Sequence, residues 1–384
     1  MAVTRMIIDD PESYFGPLFD LVRDESITDI DFNGRMLFLT TSSNLRHACS
    51  DVSLSQDFVE EFTRRVSNTV SKQFNKNYPI LEAETDTLRI TIVHESVAIS
   101  GRIISIRKSM PFVRMTEESM IREHYASAEV IKLLKSCVDA RMNMVFCGEP
   151  GVGKTECVKF FSGYIPEDER IISIEDTPEL HLSSLRPTGD SVELRIGDCM
   201  DYTMAIKTCL RLNPAWLMLS EARSTEIIYL IEGFSTGVRG MTTLHADDVL
   251  SVPDRMLNMA GSSRSEGRLL NDIYSFVDVA VLIKRRSFIE DGREVIRRYI
   301  DQVGFFYRSM EVNAAHLAVS GGRMTETPLP REIAERLGAN DPIPDPGYEE
   351  RAREVQKIME NAGLALGMTI GKGGTYLGKT KAIG

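Results

Sequence analysis

The 384-residue sequence has no apolar run approaching a membrane span, no CxxC pair, no internal repeat and no excess of positive charge. Each absence removes a class of protein. A spanning helix needs about 20 consecutive apolar residues. Arg5 is followed by no apolar core ending in a small-residue cleavage site, so a secretory leader is not expected. Cys49, Cys137, Cys147, Cys157, Cys199 and Cys209 lack disulfide or zinc spacing, and Cys147 lies in a run that reads as buried. Free thiols in a reducing compartment fit this pattern better. Lys and Arg number 45 against 56 Asp and Glu, a net charge of −11, with no basic-aromatic stripe. That argues against broad nucleic-acid binding, although a local basic channel would escape the count. The expectation is a cytoplasmic protein without a transmembrane segment, peripheral at the inner face of the cytoplasmic membrane through partners.

At 42% hydrophobic and 26% charged, the chain is long enough for two domains with separate cores. Its most informative stretch is Met144-Val-Phe-Cys-Gly-Glu-Pro-Gly-Val-Gly-Lys-Thr-Glu156, an apolar strand entering GxxxxGKT and then a helical pattern. This is a P-loop, the Walker A motif. Gly148, Gly151 and Gly153 permit a tight turn around Glu149, Pro150 and Val152, so that backbone N–H groups converge on phosphate oxygens at a helix N-terminus. Lys154 is placed to reach the β- and γ-phosphates and Thr155 to complete an Mg²⁺ shell, and Glu156 ends the stretch expected to bind nucleotide. The competing reading is an ordinary glycine turn between strand and helix.

Downstream, Ile171-Ile-Ser-Ile reads as a parallel-sheet strand ending in acids, with Glu175, Asp176 and Glu179 at its carboxyl end. They would hold Mg²⁺ waters or orient an attacking water, or else form a solvated strand end. A Gly/Asp-rich loop carrying Arg186 and Arg195 follows; either is a candidate charge-neutralising finger, within the subunit or across to a neighbour, and surface charge is the alternative. The strand Ala215-Trp-Leu-Met-Leu-Ser220 delivers Glu221, a carboxylate suited to polarising water for in-line attack, unless it serves Arg223 as a buried partner. Met241-Thr-Thr-Leu-His-Ala246 puts His245 at another strand end, where a lone histidine is often a satisfied core or surface residue.

Toward the N-terminus, residues 12–24 read as an amphipathic helix, Asn33-Gly34 as a hairpin turn, and residues 53–73 as a helix capped by Ser53 with Gln56. Strands are expected over Leu88–Val93 and Arg102–Lys108, a linker over 109–127, and an antiparallel hairpin over Val277–Lys284 and Glu294–Ile300 turning at Asp291-Gly292. Beyond about residue 320, Gly321-Gly322 and the prolines mark a connector; Glu349–Leu366 reads as a final helix and Gly371–Gly384 as a disordered tail.

Pro17-Leu18, Ile27-Thr-Asp-Ile30, Asn33-Gly34, Pro79-Ile-Leu-Glu-Ala83, Arg89 and Ser100-Gly-Arg-Ile-Ile-Ser-Ile-Arg-Lys108 resemble the N-terminal domain of type II/type IV secretion traffic ATPases, in the branch that drives conjugation-type transfer and Tad-like pilus assembly. Glu175, Asp176 and Glu179 match that family's acidic box, Glu221 its Walker B pattern with Ser220 where Gly is usual, and His245 its His box, placed to sense the γ-phosphate or align Glu221. The similarity spans residues 14–310. It implies an α/β fold, a RecA-like P-loop NTPase motor domain over 128–315 behind a smaller N-terminal α+β domain over 1–108, with the remaining 316–384 as connector, helix and tail. It also implies a hexameric, Mg²⁺-dependent ATPase working with inner-membrane secretion or pilus platform proteins; the acidic balance argues against direct nucleic-acid contact. Basic residues of the N-terminal domain approach the nucleotide in the family; Arg89, Arg102 and Arg107 are the candidates, with outer-face strand charge as the alternative. Glu84 stands where relatives carry arginine. A nucleic-acid translocase and a nucleotide-binding regulator without turnover remain as other readings.

Overall fold

Alternation of apolar and polar residues builds the first sheet, whose seven strands run in the order Thr4–Arg5, Ile80–Glu84, Leu88–Val93, Ile103–Lys108, Ile27–Phe32, Leu37–Thr41, Arg46–Ala48. The computed structural model describes residues 4–42, 45–261, 266–290, 293–338, 368–371 and 374–377. Ile30, Leu39, Leu81, Ile90, Ile92 and Ile106 are buried on one face against Phe62 and Val66 of the helix Gln56–Thr69. The other face is polar, carrying Asp29, Asp31, Thr91, Ser105 and Arg107. That helix starts later than its sequence suggests: Ser55, not Ser53, is the N-cap, its Oγ accepting from Phe58 N at 3.2 Å. The expected helix over 12–24 is broken into Pro11–Phe15, a 3₁₀ turn Gly16–Leu18 and Phe19–Arg23. Pro17 has no N–H to give an α-turn, and Gly16 sits at φ +49.

The second sheet has nine strands, ordered Ser191–Arg195, Ile171–Glu175, Trp216–Leu219, Arg239–Leu244, Met144–Cys147, Val279–Glu290, Arg293–Ser309, Val312–Ser320, Arg323–Met324. Pairing is parallel from the first strand through Val279–Leu282 and antiparallel beyond. Strands buried on both faces need no alternation, and Met144–Cys147, Ile171–Glu175 and Trp216–Leu219 are buried throughout. Helices Ala128–Asp139 and Lys154–Ser162 cover one face; Tyr202–Cys209, Glu226–Ser235, Val252–Ala260 and Glu266–Phe276 cover the other. Parallel strands deliver their carboxyl ends to one edge of the sheet, which is where Gly148, Glu175, Glu221 and His245 gather.

Several connections carry more structure than their composition suggests. The stretch read as a loop contains the edge strand Ser191–Arg195, whose alternating Val192 and Leu194 are masked by flanking Gly and Asp. The linker holds a helix, Glu117–Arg122, with a Thr116/Ser119 capping box. Gly321-Gly322, read as the start of a connector, is the turn between two antiparallel strands, both glycines at positive φ. The helix expected over Glu349–Leu366 lies outside the described residues, as does most of the expected tail; Met368–Gly371 and Gly374–Leu377 pair as a hairpin. All six cysteines are free.

Candidate functional site

The turn after Met144–Cys147 depends on its glycines. Gly148 has φ +142, and a Cβ there would lie 2.3 Å from Ile283 O; Gly153, at φ +90, caps the helix Lys154–Ser162. The loop closes on its own lysine: Lys154 Nζ donates to Gly148 O at 3.0 Å and Glu149 O at 3.1 Å. Lys154 is buried, which lowers its pKa against the opposing pull of Glu221. Thr155 Oγ1 donates to Glu179 Oε2 at 3.0 Å.

His245 connects this loop to Glu221. Its Nδ1 lies 3.2 Å from Lys154 Nζ and 3.0 Å from Gly148 O, and its Nε2 lies 2.9 Å from Glu221 Oε1. One imidazole ring therefore links the phosphate loop to Glu221. Glu221 also accepts from Arg223 Nη2 at 2.8 Å, and Arg223 Nη1 donates to Asp176 Oδ2 at 2.9 Å. The carboxylates hold the Arg223 pKa above its usual range.

Glu175 is buried and turned toward its own loop: Oε2 accepts from Glu179 N at 2.8 Å and Leu180 N at 3.0 Å. Burial pushes its carboxyl up to about 7, although both N–H groups favour the charged form. Its visible work is to shape the turn that carries Asp176 and Glu179.

A cleft of about 310 Å³ contains Gly151, Gly153, Lys154, Thr155, Asp176, Glu179, Glu221, Arg223 and His245. Across it stand Asp29 and Arg107 of the first sheet, with Arg107 Nε donating to Asp29 Oδ1 at 3.0 Å. Arg89 reaches the acidic loop, its Nη1 donating to Thr177 Oγ1 at 3.0 Å.

Three candidate arginines are placed elsewhere in their own chain. Arg102 is held by both Glu95 oxygens at 2.8 Å and lies over the Phe74 ring. Arg186 is buried, donating to the carbonyls of Ile165 at 2.6 Å and Pro166 at 2.7 Å, beyond the far end of the phosphate-loop helix. Arg195 pairs with Glu84 across the two sheets. The charge reversal at position 84 thereby acquires a partner, and Arg195 lies outside the cleft lining. An arginine finger from within the subunit is thus not supplied by Arg186 or Arg195 as placed here.

Cleft residues that sequence reasoning missed include Lys108, Arg114 and Arg298. Nothing in local spacing marks Arg298, which the antiparallel extension of the sheet carries back to Gly153. The hard oxygen donors Thr155, Asp176 and Glu179 fit Mg²⁺, and the glycine cradle fits phosphate. Among the described residues no group of three or more His, Cys, Asp and Glu gathers as a metal cluster, so a cation here would draw its remaining oxygens from phosphate and water. Nor is any helix among them long and apolar enough to cross a membrane.

Residues 83–323 match the family described as Type II/IV secretion system protein. An uncharacterized protein of Bacillus anthracis is 29% identical over 274 residues, 70% of this chain and 62% of that one. The type IV secretion system protein VirB11 of Bartonella quintana (strain Toulouse) is 24% identical over 332 residues, 74% of this chain and 91% of the relative. The chain thus spans less than two thirds of the first relative and most of the second. The X-ray structure of the Legionella pneumophila ATPase DotB superposes with a TM-score of 0.58 at 15% identity, covering 93% of this chain and 92% of that one, a likeness of fold.

Proposed function

Because the chain belongs to the type II/IV secretion system protein family, we propose that it is a Mg²⁺-dependent ATPase, a homo-oligomeric ring motor of six subunits that powers secretion or pilus assembly. It works at the cytoplasmic face of the inner membrane through platform proteins there. The observation that carries the reading is the connected chain from Lys154 through His245 to Glu221, beside the Thr155–Glu179 hydrogen bond.

An incoming triphosphate offers Lys154 an anion in place of two backbone carbonyls, a stronger partner for a desolvated ammonium. Loop N–H groups at the N-terminus of Lys154–Ser162 take up the remaining phosphate charge. Glu221 accepts the proton of the attacking water; His245, touching both Lys154 and Glu221, reports phosphate arrival to the base. Arg223 orients Glu221 through its Nη2 hydrogen bond. Thr155, Asp176 and Glu179 would hold Mg²⁺, which would supply charge neutralisation at the phosphate oxygens.

Phosphate release by purified protein, measured with light scattering on the same sample and with Lys154→Ala as control, tests the proposal. Magnesium-dependent turnover from a six-subunit species, lost in the control, is expected. A monomer that binds ATP without turnover would overturn the motor reading, and strong stimulation by DNA or RNA would move the protein to the translocases.

A further inference from the structure

Arg298 stands at an unusual place. It belongs to Arg293–Ser309, the second strand of a two-stranded ribbon that extends past the last parallel pairing at Leu282. At the root of that ribbon Arg298 is directly opposite Arg285 in register. Like charges facing each other across an antiparallel pair repel. Arg114, from the segment joining the two sheets, lines the same cleft as Arg298. Burial lowers the Arg298 pKa, and Arg114 and Arg285 lower it further, opposed by Tyr125 and Glu156.

The guanidinium lies on the phosphate loop itself. A Cβ added to Gly153 would be 3.5 Å from Arg298 Nη1 and 3.7 Å from its Cδ. Gly153 is the N-cap of the helix whose first two residues are Lys154 and Thr155. A half-buried arginine near two others, at a helix N-terminus inside the cleft that holds Lys154 and Thr155, is disposed to meet an anion. The planar fork of Arg matches phosphate oxygens two at a time. Local conflicts of this kind concentrate at functional sites.

We propose that Arg298 is a nucleotide-binding residue which, with Arg114 and Arg285 beside it, contacts the polyphosphate of a nucleoside triphosphate from the side of the phosphate loop opposite Glu221. The assignment rests on the ATPase reading and adds to it a contact from the antiparallel extension of the sheet. Nucleotide arrival would then relieve repulsion at the root of the ribbon, giving that ribbon a different electrostatic setting in the loaded and empty states.

The test is a titration of wild type, Arg298→Gln and Arg298→Lys with a fluorescent ATP analogue, with inorganic tripolyphosphate as competitor and the nucleotide-free Tm of each protein recorded. One charged hydrogen-bonding contact is worth about tenfold or more in affinity. Arg298→Gln is expected to weaken both ligands by about that factor, with a nucleotide-free Tm equal to or above that of wild type. Arg298→Lys should recover only part of the loss, having charge without the fork. Unchanged affinity in both variants overturns the proposal, and so does a lowered nucleotide-free Tm with unchanged ligand binding, which would make Arg298 a packing residue. A wild-type protein that binds neither ligand overturns the ATPase reading, and this assignment with it.

Discussion

His245 has both ring nitrogens engaged, one toward the phosphate-loop lysine and one toward Glu221, so its removal separates phosphate binding from base alignment. Glu221→Gln should keep ATP affinity and lower phosphate release by about 10²-fold or more, the usual contribution of a positioned general base. His245→Gln should give a smaller fall with the same retained binding; equal rates in either variant and wild type would remove the residue from the mechanism. Glu175 makes a different prediction, in stability. Its folded pKa of about 7 lies above the unfolded carboxyl value of about 4.3, so the native state binds the extra proton. That contribution is full below about pH 4.3 and is lost as pH rises through about 7. Urea midpoints at pH 5 and pH 8 should therefore fall more for wild type than for Glu175→Gln. The amide oxygen of Gln can still accept from Glu179 N and Leu180 N.

At the scale of elements, the phosphate loop and the acidic loop carry the site, and each is held from outside itself. Gly148 faces the carbonyl of Ile283, a residue far along the chain, so Gly148→Ala meets both a φ that L-residues avoid and a 2.3 Å contact. A stability loss of about 2 kcal/mol or more is expected by denaturation. A midpoint equal to wild type would mean that the loop relaxes without cost. The acidic loop is tied to the first sheet and the joining segment. Thr177 accepts from Arg89, Pro178 O lies 3.2 Å from Ser109 Oγ, and His181 Nε2 lies 2.8 Å from the same hydroxyl. Ser109→Ala should speed amide hydrogen exchange over residues 176–181, and exchange unaltered there would show that the tie is dispensable. The parallel strands were legible because buried strands read as continuous apolar runs, and the phosphate loop because its glycines and lysine sit at a fixed local spacing. Ser191–Arg195 was not, since an edge strand of five residues between Gly and Asp gives too short a pattern. Nor was the Ser55 cap, since three nearby serines offer similar signals and only the helix geometry selects one.

The two large sheets have facing parts that enclose the cleft, and the Glu84–Arg195 ion pair joins them directly. Glu84 is buried while Arg195 is about one-third exposed, which reduces the energy at stake relative to a fully buried pair. Arg195→Ala should cost about 2 kcal/mol by taking the Arg195 charge from a buried carboxylate, and Glu84→Ala combined with it should cost less than the sum of the two single changes. Additive losses would mean that the two side chains do not act as a pair. By itself the sequence determined what depends on short range: the Gly148–Thr155 loop and the strands that end in Glu175, Glu221 and His245. Tertiary structure alone decided which arginines face the cleft. Arg102, Arg186, Arg195 and Arg298 look alike in sequence. One is paired with Glu95, one set among helix-end carbonyls, one bound to Glu84, and one brought onto Gly153 by strands that pair long after the loop is made. A guanidinium on a long side chain has no periodicity to betray its partner, so its role is set by which distant groups the packed sheets bring within reach.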